Sequence, residues 1–107
     1  MTAARYELHV PDGAPTVVVV AGELDVTNVS DFVVATEKVP GERPVVLDLT
    51  GVSYVDSAGL ATLDRLTGTH TAVVVLPPTS PTYRAAALMD LPCHDTVPEA
   101  IAALREG

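Results

Sequence analysis

The sequence predicts an α/β fold: a mostly parallel or mixed sheet of four to five strands with about four helices, in the order ββαβαβαβα. Two observations carry this. The segments TVVVVA (16–21), PVVLDLT (44–50) and TAVVVL (71–76) are nearly continuously apolar and β-branched, as strands covered on both faces are. Stretches with helical spacing of apolar residues separate them, after a first pair of strands joined by a turn alone. That alternation implies parallel strands linked by helical crossovers, with an antiparallel strand at one edge.

The elements follow in order. Residues 5–10 alternate weakly and read as a strand. Pro11-Asp12-Gly13-Ala14-Pro15 is a turn, rich in residues that fix or free φ. It makes a hairpin of the first strand and residues 16–21. Asp25-Val26-Thr27-Asn28 opens a helix that Thr27 or Asn28 can cap, with Asp31 in its first turn, where negative charge suits the dipole. Val29, Phe32, Val33 and Thr36 mark its inner stripe, and Pro40-Gly41 ends it. Residues 44–50 form the central strand, with Val45, Leu47 and Leu49 on one face and Val46 and Asp48 on the other. A helix from Ser57 to Thr67 turns Leu60, Leu63 and Leu66 inward and stops at Gly68. After the strand at 71–76, Ser80 caps a helix with Pro81 at its first position, running to Asp90. Cys93 to Thr96 is a short edge strand. Pro98 to Arg105 is a last helix, with Ile101 and Leu104 inward.

Bulk composition narrows the function. The chain has 107 residues, the size of one domain. Apolar residues make up 48% of it, with three tyrosines and one phenylalanine as its aromatics, so the core is built from Val, Leu and Ala. Fourteen acidic against six basic residues give a net charge of −8. That argues against the clustered Lys and Arg that hold nucleic-acid phosphates, and it favours basic protein partners. One cysteine excludes an internal disulfide and fits a reducing compartment. MTAARYELHV lacks the apolar run of a secretion signal, and no stretch approaches the ~20 residues of a membrane span. A cytoplasmic protein without direct membrane insertion is expected.

The most informative stretch is VVLDLTGVSYVDSAGLATL, residues 45–63. An apolar strand runs straight into Asp56-Ser57-Ala58-Gly59, and a helical pattern follows. Ser57 has three readings. As a helix cap it is worth about 1 kcal/mol, although Asp56 can serve instead and Leu60 stands where a capping box has its acid. As a nucleophile it would need G-x-S-x-G; Val55 replaces the first glycine, and His9, His70 and His94 lie on no evident partner segment. As a switch, a serine at a strand's carboxyl end is exposed by geometry. A phosphate there meets the helix N-terminus and adds about −1.5 to −2 charges beside Asp56. The fold would tolerate it while the surface became hostile to an acidic or apolar partner.

Other residues carry less. Glu23 and Asp25 lie two apart and suit a solvated loop or a partner contact better than a catalytic pair. Cys93-His94-Asp95 contains ligand-type residues, but neighbours on a strand point to opposite faces, so no metal or cofactor site is expected. Met89 reads as core. Tyr54 stands open between packing and a binding face.

Three stretches, VVVVAGELDVTN (17–28), VVLDLTGVSYVDSAGL (45–60) and AVVVLPPTSPTYRAAALMDL (72–91), give the chain its family likeness. It resembles the STAS domain family (sulphate transporter and anti-sigma factor antagonist), and more narrowly the bacterial anti-sigma factor antagonists. Gly-Glu-Leu-Asp and Asp-Ser-x-Gly-Leu, in this order and separation, are the specific pair. The resemblance implies a STAS-type single domain over residues 1–107. It implies that the protein binds an anti-sigma factor with serine kinase activity and frees a sigma factor. Phosphorylation of Ser57 would switch it off, and a serine phosphatase would restore it. Glu23, Asp25, Asp56, Ala58, Gly59 and Leu60 become the implied partner-binding residues. Asp25 would lie near Ser57, and Gly59, without a side chain, would admit a partner backbone. Residues 57–70 leave a second helix about one turn shorter than is usual in the family. The expected function is phosphorylation-controlled binding by a monomer or weak dimer, with no enzymatic activity. The alternative is a constitutive STAS binding module, not phosphorylated, in a signalling assembly or beside a membrane transport system.

Overall fold

A computed structural model describes residues 5–106; the ends of the expected domain, residues 1–4 and 107, lie outside the described residues. The elements are β1 (Tyr6–His9), β2 (Val17–Leu24), α1 (Val29–Lys38), β3 (Val45–Val55), α2 (Ser57–Gly68), β4 (Ala72–Val75), α3 (Tyr83–Leu88), β5 (Cys93–His94) and α4 (Val97–Glu106). The order is the ββαβαβαβα expected. One five-stranded sheet runs β1-β2-β3-β4-β5. β1 pairs antiparallel with β2, and every other pairing is parallel.

Strand order equal to chain order decides where the helices go. Each crossover advances the same way along the sheet, and crossovers share one hand. α1, α2 and α3 therefore cover the same face. Their Phe32, Leu63 and Ala86 join Val18, Val20, Leu24, Val45, Leu47 and Leu49 in the main core. The opposite face carries Val46 and Val75, which pack with Ala100 of α4 and its half-buried neighbours Val97, Ile101 and Leu104. The alternation read in residues 45–49 thus supplies both cores from one strand.

Several boundaries differ from the sequence expectation. β2 continues to Leu24 and β3 to Val55, because the two go on pairing past their apolar runs. Two irregularities make this possible. Between Val19 and Ala21 on β2, β3 advances from Asp48 to Gly51, one residue more, and a second shift follows between Gly22 and Glu23. Asp48 Oδ1 accepts the Thr50 N–H at 3.1 Å and its hydroxyl at 2.6 Å, fixing the first bulge. The Ser53 hydroxyl donates to the Gly22 carbonyl, 3.2 Å away, at the second. Such bulges bend a strand and re-aim its end.

Gly22 is required here: its φ is +101°, and a Cβ would lie 2.4 Å from the Arg5 carbonyl oxygen. Gly68 is the last residue of α2 and does not stop it. His70 does, at φ 58°, while Thr71 N–H donates to Leu66 and His70 N–H to Thr67; this is the left-handed close of a Schellman turn. Ser80-Pro81 lies in a turn, and α3 starts only at Tyr83 and ends at Leu88. The Ser80 N–H is drawn back to the Pro77 carbonyl at 2.8 Å, so the chain turns before it coils. β5 has two residues. Met89 is 38% exposed and not core, since α3 has already closed at Leu88.

Candidate functional site

β2 and β3 both end at the same edge of the sheet, and the loops that leave them are bonded together. The Asp56 N–H donates to the Leu24 carbonyl at 3.1 Å, continuing the ladder one step beyond β3. Asp56 is also the cap of α2. Its Oδ1 accepts the Gly59 N–H at 2.8 Å, satisfying one of the donors a helix start leaves open. Its Oδ2 reaches across to the Val26 N–H at 3.1 Å. The cap question raised by the sequence is answered for Asp56. Ser57 is the first residue of α2, exposed, and its hydroxyl takes no part in the cap.

The turn from Asp25 to Asn28 is built from its own side chains. Asp25 Oδ1 accepts the N–H of Thr27 at 2.8 Å and also its hydroxyl, an Asx turn. Asn28 stands at the cap position of α1 but makes no side-chain cap. Its amide faces back, accepting the Asp25 N–H at 3.0 Å and donating to the Glu23 carbonyl at 2.9 Å. Asn28 is 9% exposed, so these bonds form in a partly dry place. The loop is therefore preset, and it leaves Val26 at its tip.

The structure brings Asp25, Asp56, Ser57 and Ala58 to one end of the sheet. Glu23 lies on the adjoining strand end, opposite Tyr54, with its side chain exposed. Asp25, Asp56 and Ala58 are half-buried. Gly59 and Leu60 are buried and shape this surface from below. A Cβ at Gly59 would meet Val55 Cγ1 at 2.5 Å and the Leu24 carbonyl oxygen at 2.9 Å. Glycine thus permits a close approach to the chain's own β2 and β3 ends. Tyr54, open to either reading in the sequence, is 50% exposed.

Sequence reasoning missed Val26. It is 72% exposed, beside Asp56 and next to the preset turn. A lone loop valine has no periodicity; its signal is an aliphatic residue between turn-forming Asp25 and Thr27.

The histidines stand elsewhere. His70 and His94 line a cavity of about 370 Å³ with Thr67 and Gly68, at the carboxyl end of α2. Ser57 is at the other end of that helix, roughly 18 Å away by its rise. His9, exposed, pairs with Val19 at the end of the edge strand β1. Among the described residues, no group of three or more His, Cys, Asp and Glu is placed to hold a metal ion. Cys93 is half-buried, and burial first, then the charge of Asp95, pushes its thiol pKa up. No helix among the described residues is long and apolar enough to cross a membrane.

Comparison with known proteins agrees with this arrangement. The family model described as "Mlab, STAS domain" matches residues 10–91, a span from the end of β1 past α3 that includes both site loops. The crystal structure of an anti-sigma factor antagonist from Mycobacterium paratuberculosis has a TM-score of 0.68 to this chain, at 26% identity, over 94% of this chain and 95% of that one. With the strand-end loops inside the matched span and the same fold found almost end to end in the mycobacterial structure, the protein belongs to the STAS domain family.

Proposed function

We propose that the protein is an anti-sigma factor antagonist, binding an anti-sigma factor through the surface around Ser57 and released when that serine is phosphorylated. The observation that carries this reading is the division of labour at the start of α2. Asp56 does the capping, so the Ser57 hydroxyl is left exposed for another use. A phosphate at this point faces the positive end of α2. It costs the fold little, and it adds about −1.5 to −2 charges to a surface already carrying Glu23, Asp25 and Asp56. A partner matched to the unmodified, partly apolar face of Val26, Tyr54 and Ala58 would be expelled. The modifying enzyme is a serine kinase, carried by the anti-sigma factor itself, and a serine phosphatase reverses it. The distance from Ser57 to His70 and His94 supports binding over acyl transfer. The cytoplasm is the compartment in which these partners meet.

Phosphopeptide mass spectrometry on the protein isolated from its own cells, with Ser57→Ala as control, tests the reading. Phosphate on Ser57 is expected. The unphosphorylated form should co-purify with a serine kinase, and Ser57→Asp should lose it. A serine unmodified across growth and stress conditions, in a complex indifferent to Ser57→Asp, would overturn the proposal in favour of a constitutive binding module.

A further inference from the structure

We propose that Asp56 is the positioning residue of this switch: its carboxylate holds the Val26 corner of the Asp25–Asn28 turn against α2, and phosphate on Ser57 releases that corner. The inference rests on the reading of Ser57 as a phosphate acceptor and assigns how the modification is transmitted.

Both carboxylate oxygens of Asp56 are committed, one to each segment. Oδ1 takes the Gly59 N–H of α2, and Oδ2 takes the Val26 N–H of the turn. These partners are neutral N–H groups, so they do not offset a second negative charge next door. A phosphate on the adjoining residue repels the Asp56 carboxylate and competes for the same helix-terminal donors. The two bonds differ in what backs them up. The Gly59 end is held by the helix itself, with Leu60 N–H on the Asp56 carbonyl at 2.9 Å and Leu60 buried. Val26 is 72% exposed, and among the described residues its N–H bonds to Asp56 alone. The weaker bond yields first. The rest of the turn stays in place through Asn28, which holds Asp25 and Glu23 independently of Asp56. Only the Val26 corner moves, and Val26 is the aliphatic residue a partner would grip. The modification thus acts twice, by added charge and by withdrawing an apolar contact.

Hydrogen exchange of the Val26 amide, read by NMR on the full chain, tests this. Phosphoserine is installed at position 57 during synthesis, so no kinase or partner is needed. Asp56→Asn keeps a cap oxygen for Gly59 but has no second oxygen for Val26. Four proteins are compared: the parent and Asp56→Asn, each with serine or phosphoserine at 57. Phosphate in the parent should speed Val26 exchange about tenfold, the loss of one hydrogen bond. Asp56→Asn should do the same without phosphate, and phosphate should add nothing further to it. The Leu60 amide should stay unchanged in all four. Val26 exchange unaffected by phosphate, accelerated by phosphate as much in Asp56→Asn as in the parent, or accelerated together with Leu60 would each overturn the proposal. None of these results depends on whether cells phosphorylate Ser57, so failure here and failure of the proposed function are separately visible.

Discussion

Two buried or half-buried side chains show how a single polar atom sets stability. Thr36 is fully buried in α1, and among the described residues its hydroxyl oxygen has no hydrogen-bond partner. A polar group desolvated without compensation costs about 1–3 kcal/mol, whereas valine has the same shape and a similar helix propensity. Thr36→Val is therefore expected to stabilise the fold by about 1 kcal/mol, read as a rise in the denaturant midpoint; a lower midpoint would mean the hydroxyl is satisfied in solution. Tyr6 is the converse case, a polar group well provided for. Its ring meets Phe32 edge-on at 5.5 Å, and its hydroxyl donates to Asp31. Burial first, then the bond to Asp31 and that residue's charge, push its pKa from 10.0 up to about 12. The folded value is the higher one, so the fold favours the neutral phenol. Its contribution is fully present below pH 10.0 and is lost as pH rises from there to about 12. Tyr6→Phe should remove that part of the alkaline loss, seen as a smaller gap between denaturant midpoints at the two ends of the window. An unchanged gap would place the loss on other groups.

At the scale of elements, helix ends account for most differences between the sequence reading and the structure. α2 and α3 close alike. His70 and Asp90 adopt φ of 58° and 57°, and Thr71 and Leu91 send their N–H groups back to Leu66 and Ala86. A residue with a Cβ costs roughly 1–2 kcal/mol in this region, and glycine is its usual occupant. Glycine's own entropy offsets part of the gain. His70→Gly and Asp90→Gly should each raise stability by about 0.5–1 kcal/mol, measured by urea unfolding; destabilisation by either would show that its side chain does more than end a helix. The sequence pointed to Gly68 because glycine near a helix end usually marks the stop, whereas a histidine in the left-handed position has no pattern of its own. Ser80-Pro81 misled for a similar reason. A serine before a proline reads equally well as a cap or as a turn, and the pull of Pro77 on the Ser80 N–H made it a turn. The ends of β2 and β3 were hidden because Thr50, Gly51, Ser53 and Tyr54 are exposed, so apolar pattern stops where pairing continues.

Across the whole molecule, what was legible is what depends on periodicity. Val45, Val46 and Leu47 alternate faces, and the structure places them in two separate cores as that alternation requires. The Ser57 turn was legible too, as a strand running into a helix. What could not be read is the bond between Val26 and Asp56, which joins residues far apart in the chain through one side-chain oxygen. The two cores are also unequal, and this has a dynamic consequence. The main core is closed by three helices, while the second rests on α4 alone, with Ile101 and Leu104 only half-buried. Regions with few buried apolar contacts open at lower free energy than the global transition. α4 should therefore exchange its amide hydrogens through a local opening, while β3 exchanges only on global unfolding. Leu47 is fully buried, so Leu47→Ala should cost about 2–5 kcal/mol and lower the protection of β3, while α4, which opens locally, keeps its exchange rate. Leu104→Ala should cost less, about 1 kcal/mol, and speed exchange in α4 and, because global unfolding includes α4, in β3 as well. Native-state hydrogen exchange on both variants distinguishes the outcomes. If Leu47→Ala weakened α4 as much as β3, the last helix would belong to the global unit and the two faces would unfold as one. If it weakened β3 and left α4 unchanged, α4 would open independently of the side of the sheet that carries the surface around Ser57. A partner there could then alter the helix-covered end without disturbing α4.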